Sequence, residues 1–482
     1  MSELLPYLVP AGMVLAAMLA IVIGFGLMLA WPRVLVFGFL ACLLLIASSS
    51  SYGLEEATEA NVFWVKGTRT FFFSFVEMAV FGAWIAALLR NAWTGTRPVG
   101  VTIFKYYLAF GALLVGHALV GLLDDRHPLL FDLSQRGFSN LLYQGMFILV
   151  LVSTLRTERD LRWLGLLFVA CLLGRHVFGL VRWAAFGGDP QNAYATLGGS
   201  QVRITFWDIN DSILAALMFA LCAWRLLTQR VFAAGERLLY LAGSAMALVI
   251  PLLSARRTAQ GGMLLAIVVL AALLPRGRRW PAVLAFVLAV PLVAVALGQR
   301  AEDKTARLIE RVLIDVKANP MKDPRRTRFH ELRTAWQTLK EKPVFGLGPS
   351  GRFRVTDHTG LEYHGGAYDY VHSGFGHVLL KTGFVGLLLF CALLVAWGRL
   401  VVRSWPSTDG PGRGLAVAAL AGLAASLPNL LVGTPIPELR TMLLMGLLMA
   451  LPLVVARAAA PQPAARADAP VPGGAGLRAA RA

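Results

Sequence analysis

Residues 375–398 read FGHVLLKTGFVGLLLFCALLVAWG. As a helix this run is about 36 Å long at ~1.5 Å per residue, enough to cross a hydrocarbon core of about 30 Å. Similar runs of roughly 17 to 25 residues recur along almost the whole chain. Barrel strands are a poor alternative, because they are about 10 residues long and alternate apolar with polar, which these runs do not. Of the 482 residues, 57% are hydrophobic and 15% charged, with a mean hydropathy of +0.65; a water-soluble domain of this size could not carry such a surface. The expectation is an all-α, polytopic transmembrane helical bundle.

Working outward, spans are expected at about 8–30, 33–50, 70–90, 101–122, 137–155, 162–183, 208–227, 237–254, 259–275, 281–298, 375–398, 413–431 and 438–456. The first run, Pro6 to Trp31, is too long and too like its successors for a cleaved signal peptide and is kept in the mature protein. Trp31-Pro32-Arg33 reads either as a turn between two crossings or as a kink, so twelve or thirteen spans are both compatible. The short basic loops are Arg90 to Arg97, Arg156 to Arg162, Arg225 to Arg237, Arg276 to Arg279, Arg399 to Arg413 and the tail from Arg457. Taken in order they all fall on one side, which the distribution of Lys and Arg makes the cytoplasm. The same distribution accounts for the net charge of +18 without nucleic acid, for which no recognisable module is present. Cys42, Cys171, Cys222 and Cys391 lie inside apolar runs with no CxxC pair, which indicates neither disulfides nor a zinc site.

The expected organisation is N-terminal spans over 1–298, a large outer loop domain over 299–373, C-terminal spans over 374–456 and a disordered cytoplasmic tail over 457–482. The stretch from Gln299 to Tyr370 carries 14 Lys and Arg against 10 Asp and Glu, yet loops longer than about 60 residues translocate largely regardless of charge. Two amphipathic helices, lying on the membrane face or packing on the bundle, are expected in it. One covers Ala301 to Val316, with Leu308, Val312, Leu313 and Val316 on a stripe; the other covers Thr327 to Leu339, with Leu332, Ala335, Trp336 and Leu339.

Five of the eight histidines (His330, His358, His364, His372, His377) fall in this outer domain and the start of the next span. Their spacing does not suit a rigid metal site, and no HExxH appears. The sharpest local signal is His372-Ser373, nine residues, then Gly383-Phe384-Val385-Gly386. It puts an imidazole at the outer mouth of a span, with two small residues deeper in, where a helix or lipid tail approaches closely. An interfacial histidine capping a helix, with a packing glycine pair, is the plainer alternative.

Arginine is the second signal. Ser254-Ala255-Arg256-Arg257-Thr258 puts two guanidiniums in a short outer turn, where the charge rule disfavours them. Their forks match phosphate oxygens; snorkelling to lipid phosphates is the competing explanation. Arg325, Arg326, Arg328 and Arg333 lie at the head of the second amphipathic helix, before Pro343-Val344-Phe345-Gly346-Leu347-Gly348-Pro349, and Arg203 precedes Phe206 and Asn210-Asp211. At most two or three of these are expected to touch substrate, most forming a solvated face.

His372-Ser373-x9-Gly383-x2-Gly386 resembles the His-(Asn/Ser/Gln)-x9-Gly-x2-Gly pattern of the bacterial O-antigen ligase family. Pro343 to Gly348 is similar to its Pro-Leu-Phe-Gly-x-Gly turn, and Ser254 to Thr258 to its Ser-Arg-rich outer turn. The likeness runs over about residues 200 to 456, the earlier spans matching in hydropathy only. In the family turn serine commonly stands directly before arginine; here Ala255 and a second arginine intervene, which leaves open whether Arg256 or Arg257 holds the family position.

The resemblance implies a glycosyltransferase of the bacterial inner membrane with a periplasmic active site. Its donor would be O-antigen on undecaprenyl pyrophosphate, its acceptor a sugar hydroxyl of lipid A-core and its surroundings membrane lipids. On this reading Arg256 or Arg257, with Arg328 or Arg333, neutralises the pyrophosphate, Arg203 and Arg326 add substrate contacts, and His372 takes or orients the acceptor proton. Asp369 and Glu362 are the carboxylates near enough in sequence to orient His372, and with arginine supplying the charge no metal or other cofactor is required. Polymerases and protein O-oligosaccharyltransferases share the donor and differ in acceptor. A lipid-linked-sugar transporter, the reading from another class, calls for charges at the bilayer midplane and for repeated halves; neither is evident.

Overall fold

The computed structural model describes residues 23–46, 64, 73–96, 101–123, 138–188, 205–206, 208–233, 235–254, 256–280, 283–284, 287, 324–349, 351–354, 367–368, 370–405 and 412–459. Its elements are α1 (Pro32–Leu45), α2 (Phe75–Trp93), α3 (Val101–Leu123), α4 (Phe138–Thr154), α5 (Glu158–Phe186), α6 (Ile209–Thr228), α7 (Glu236–Leu253), α8 (Arg257–Leu273), α9 (Pro324–Leu339), β1 (Phe353–Arg354), β2 (Ala367–Tyr368), α10 (Gly374–Ser404), α11 (Arg413–Val432) and α12 (Leu439–Ala459). The two strands form one short antiparallel ladder with Phe353 opposite Tyr368.

Side-chain caps start several of these helices. Ser74 and Glu77 form a reciprocal capping box at α2, as do Thr157 and Asp160 at α5, each satisfying donors that a helix start leaves open. The Asp208 carboxylate accepts from the Asn210 N–H at 3.1 Å and starts α6.

The centre of the bundle is α6, α11 and α12. From Leu439 to Ala456, α12 is buried on every face, as expected of a helix apolar all round. Helix α11 packs on α6, α8 and α12, while α4 packs on α12 and α2. The α8–α11 contact is close because Gly262 lacks a side chain; a Cβ there would sit 2.5 Å from the Ala425 carbonyl oxygen. Toward the outside, Leu108, Val115 and Leu119 of α3 and Leu238 and Leu241 of α7 are exposed, an apolar perimeter that suits lipid.

Helices occupy the expected runs from 33–50 through 259–275 and from 375–398 through 438–456. Among the described residues, eight helices are long and apolar enough to cross a membrane, or nine if the segment Ile23–Ala30 and α1 count as one broken span bent by 113°. The chain is a polytopic helical membrane protein. Three further expected runs are shorter helices: α1 has 14 residues, about 21 Å of helix, and Ser139–Thr154 and Arg257–Leu273 are apolar helices of at most 17 residues. The expected span 281–298 lies mostly outside the described residues, as do the Ala301–Val316 helix and nearly all of the 457–482 tail.

The second amphipathic helix is present as α9, but its buried side comprises Glu331, Thr334, Ala335 and Leu339, while Leu332 and Trp336 are exposed. The buried row follows i, i+4, i+8 from Glu331. Trp336 instead lies edge-on to Phe384 of α10 with ring centroids 6.1 Å apart.

At one end of the bundle two buried arginines hold the last turn of α1. Arg440, fully buried, meets the Asp208 carboxylate at 3.0 Å and donates to the Leu43 and Leu44 carbonyls at 3.1 and 3.3 Å. Arg175 meets Asp211 at 2.6 Å and donates to the Leu45 carbonyl at 2.9 Å. The two pairs satisfy carbonyls that a helix C-terminus leaves open and place cations at its negative pole.

Candidate functional site

The start of α10 presents His372. Ser373, in extended conformation, caps the helix by accepting from the Gly376 N–H at 3.1 Å. That cap fixes the backbone one residue before the helix and turns the His372 ring toward α9. There Nδ1 lies 2.9 and 3.0 Å from the two carboxylate oxygens of Glu331, and the His372 backbone N–H donates to the first of them at 3.1 Å. An ionised carboxylate only accepts, so this contact places the ring proton on Nδ1 and leaves Nε2 as the basic nitrogen. The Glu331 side chain is 4% exposed and that of His372 26%. The carboxylate is therefore shielded while the imidazole keeps an open edge. Tyr370 stands edge-on to the imidazole, centroids 5.2 Å apart.

The two motifs read from the sequence meet each other. Gly383 interrupts α10 with φ +62° and ψ −163°, a conformation open essentially to glycine alone. Into the break fits the Pro343–Gly348 turn. Phe384 and Val385 donate to the Pro343 and Val344 carbonyls at 3.0 and 3.1 Å, while Leu347 and Gly348 donate to the Leu380 and Lys381 carbonyls, each at 2.9 Å. A Cβ on Gly383 would lie 2.3 Å from the Val344 oxygen, and one on Gly346 2.5 Å from the Gly383 nitrogen. What approaches Gly383 is thus a loop backbone, which also satisfies helix groups that the break leaves open. The buried Lys381 ammonium clamps the far side of the turn, donating to the Pro349 and Gly351 carbonyls at 2.8 and 2.7 Å. His117 of α3 hydrogen-bonds the backbone of Phe345.

The arginine pair divides. Arg256 is half-buried at the N-cap of α8, its N–H donating to Ser254 Oγ at 3.3 Å; Arg257 opens the helix with an exposed side chain. Arg256 belongs to a charge cluster with Glu438, Asp208 and Arg440. In that cluster the Glu438 carboxyl is pushed up to about 7, foremost by burial and then by Asp208, while the Thr441 hydroxyl, Arg256 and Arg440 act the other way. The loop carrying Glu438 is pinned by Asn140, which donates to the Ile436 and Pro437 carbonyls, each at 3.0 Å. It adjoins the histidine site, since a Cβ on Gly374 would meet Pro435 at 3.5 Å.

Of the other arginines expected at the site, Arg333 is exposed on α9, the backbone of Arg326 and Arg328 lies in the first turns of that helix, and Arg203 falls outside the described residues. So do Asp369 and Glu362; the carboxylate found against His372 is Glu331. The signal for it was a lone carboxylate on the row Glu331, Ala335, Leu339 of an amphipathic helix. Glu438, Asp208 and Arg440 were not anticipated either.

Residues 242–391 match the family model described as O-antigen ligase. That stretch is similar to O-antigen ligases. It runs from within α7 through the Arg256–Arg257 turn, α9 and the Pro343–Gly348 turn to the middle of α10, so it contains His372, Glu331 and Gly383. No curated protein matches the chain. Within the matched stretch the paired motifs form one unit, whose glycines hold the helix break and whose histidine stands at the start of α10.

Proposed function

We propose that the protein is an O-antigen ligase. It transfers O-antigen polysaccharide from undecaprenyl pyrophosphate to a sugar hydroxyl of lipid A-core at the periplasmic face of the inner membrane, and so completes lipopolysaccharide. The observation that carries this reading is the Glu331–His372 pair at the mouth of α10 within the matched domain. It supplies a base of the kind that deprotonates a sugar hydroxyl.

Glu331 is the positioning residue: it accepts from Nδ1–H and from the backbone N–H of the same histidine. His372 Nε2 takes the proton of the acceptor hydroxyl as that oxygen attacks the anomeric carbon of the donor. The bond from that carbon to the pyrophosphate oxygen breaks on the opposite face, the configuration inverts, and undecaprenyl pyrophosphate leaves with the electron pair. Charge developing on it is neutralised by Arg257, exposed at the N-terminus of α8, where the helix dipole adds to it. Arg256, Arg328 and Arg333 extend the positive field, with Arg326 and Arg203 as outer contacts. Arginine remains charged at any relevant pH, so the leaving group can be stabilised without a metal.

The discriminating experiment offers purified protein in nanodiscs an undecaprenyl-pyrophosphate glycan together with lipid A-core, free repeat units or a pilin-type protein. Glycan appearing on lipid A-core alone is the expected result. Elongated repeat-unit chains or a glycosylated protein would replace this reading with the polymerase or the protein oligosaccharyltransferase.

A further inference from the structure

Opposite the histidine site, the bundle ends in a cluster of arginines. Three guanidiniums converge on the last turn of α4. Arg90 donates to the Ser153 carbonyl and Thr154 Oγ1 at 3.0 and 3.2 Å, Arg156 to the Ser153 carbonyl at 2.7 Å and Asn91 Oδ1 at 3.0 Å, and Arg457 to the Val152 carbonyl at 2.7 Å. Arg33 joins them through Asp160 at 3.3 Å. The arginines lie within electrostatic reach of one another. Burial, and then Arg33, hold the Arg156 guanidinium below its ordinary range.

Capping of the α4 C-terminus does not account for all of this. A helix end offers about half a negative charge, and the one carboxylate paired with the cluster among the described residues is Asp160, which also accepts the N–H groups of Arg156 and Thr157. Each guanidinium has five donors in a planar fork, more than the carbonyls and hydroxyls named above engage.

Directly beside the cluster, an open groove runs between α1, α2 and α4. Its walls are apolar, Val36, Val80, Ala83 and Phe147 among them, except where Arg90 and Thr154 close one end. An apolar slot whose single cationic end joins three more arginines has the polarity of a lipid with a phosphate head.

We propose that this end of the bundle binds one anionic phospholipid, its phosphate on Arg90, Arg156, Arg457 and Arg33 and an acyl chain in the groove. The occupant is a phospholipid of the leaflet on the arginine-rich side. By the charge rule this is the cytoplasmic leaflet, where basic pockets between helices meet anionic head groups. The site is independent of the chemistry proposed at His372.

The test is thermal stability of the full chain in a neutral detergent, titrated separately with phosphatidylglycerol, phosphatidylcholine and inorganic phosphate. Saturable stabilisation by phosphatidylglycerol alone is expected. Arg90→Gln with Arg156→Gln should weaken it roughly thirtyfold, about fivefold for each charge removed. Should the double variant fold poorly, Ala83→Phe keeps every charge, fills the groove and should weaken the lipid by at least tenfold. Equal stabilisation by phosphatidylcholine or inorganic phosphate, or an unchanged phosphatidylglycerol midpoint in Ala83→Phe, would overturn the proposal.

Discussion

Glu331 and His372, 41 positions apart in sequence, meet at 2.9 Å, and the same carboxylate also accepts the histidine's backbone N–H at 3.1 Å. One side chain therefore orients both the ring and the peptide that carries it. Glu331→Gln keeps the shape but can present an N–H where an acceptor is needed. Ligation should fall by about tenfold to a hundredfold while the melting temperature stays near wild type. Adding His372→Ala to Glu331→Gln should cost little beyond His372→Ala alone, because residues acting as a unit are not additive. Additive losses in kcat would show that Glu331 acts elsewhere.

Gly383 holds the break that receives the Pro343–Gly348 turn. Gly383→Ala forces a Cβ to 2.3 Å from the Val344 oxygen at φ +62°, where backbone strain alone costs about 1–3 kcal/mol. A clearly lowered melting temperature and loss of ligation are expected. At Gly398, lower in the same helix, an added Cβ would meet nothing within 4 Å, so Gly398→Ala should be neutral or stabilising by up to about 1 kcal/mol. Equal thermal stability of the two variants would contradict the role given to the break.

Glu438 binds a proton in the folded protein up to about pH 7, whereas its ordinary value is 4.5. Between those values the folded chain holds more protons than the unfolded one. The stabilisation linked to Glu438 is therefore complete below pH 4.5 and lost as pH rises through about 7. Glu438→Gln cannot ionise and removes that slope. Its melting temperature relative to wild type should climb between pH 5 and pH 8; a flat difference across that window would show that the carboxyl ionises normally.

Asp208 is the buried carboxylate partner of Arg440. Removing one member of such a pair leaves a charge in the interior at a cost of about 3–5 kcal/mol. Asp208→Ala should therefore lower the melting temperature strongly, with Asp208→Asn recovering only the cap of α6. Near-wild-type stability of Asp208→Ala would mean that α1, α6 and α12 are not held by this contact.

The apolar runs were legible because lipid imposes length and composition on each helix separately. His372-Ser373, Pro343–Gly348 and the Gly383 break were legible because local backbone demands leave local traces. Glu331 was not, since its burial arises only when α9 docks on α10, and its place on an apolar row reads equally as a solvated edge. Arg440 and Asp208 stand 232 positions apart, and no spacing announces such a pair. Hydropathy registers apolar runs without showing, as at α1, how much of each becomes straight helix.

The most direct test of the central claim is transfer of glycan from undecaprenyl pyrophosphate to lipid A-core by purified protein in nanodiscs, with chelator present. Wild type should be compared with His372→Ala and Arg257→Ala. The account predicts chelator-resistant transfer that His372→Ala and Arg257→Ala each reduce by at least about a hundredfold, the scale of a lost general base or charge-stabilising donor. Undiminished transfer by His372→Ala, or none by wild type, would contradict it.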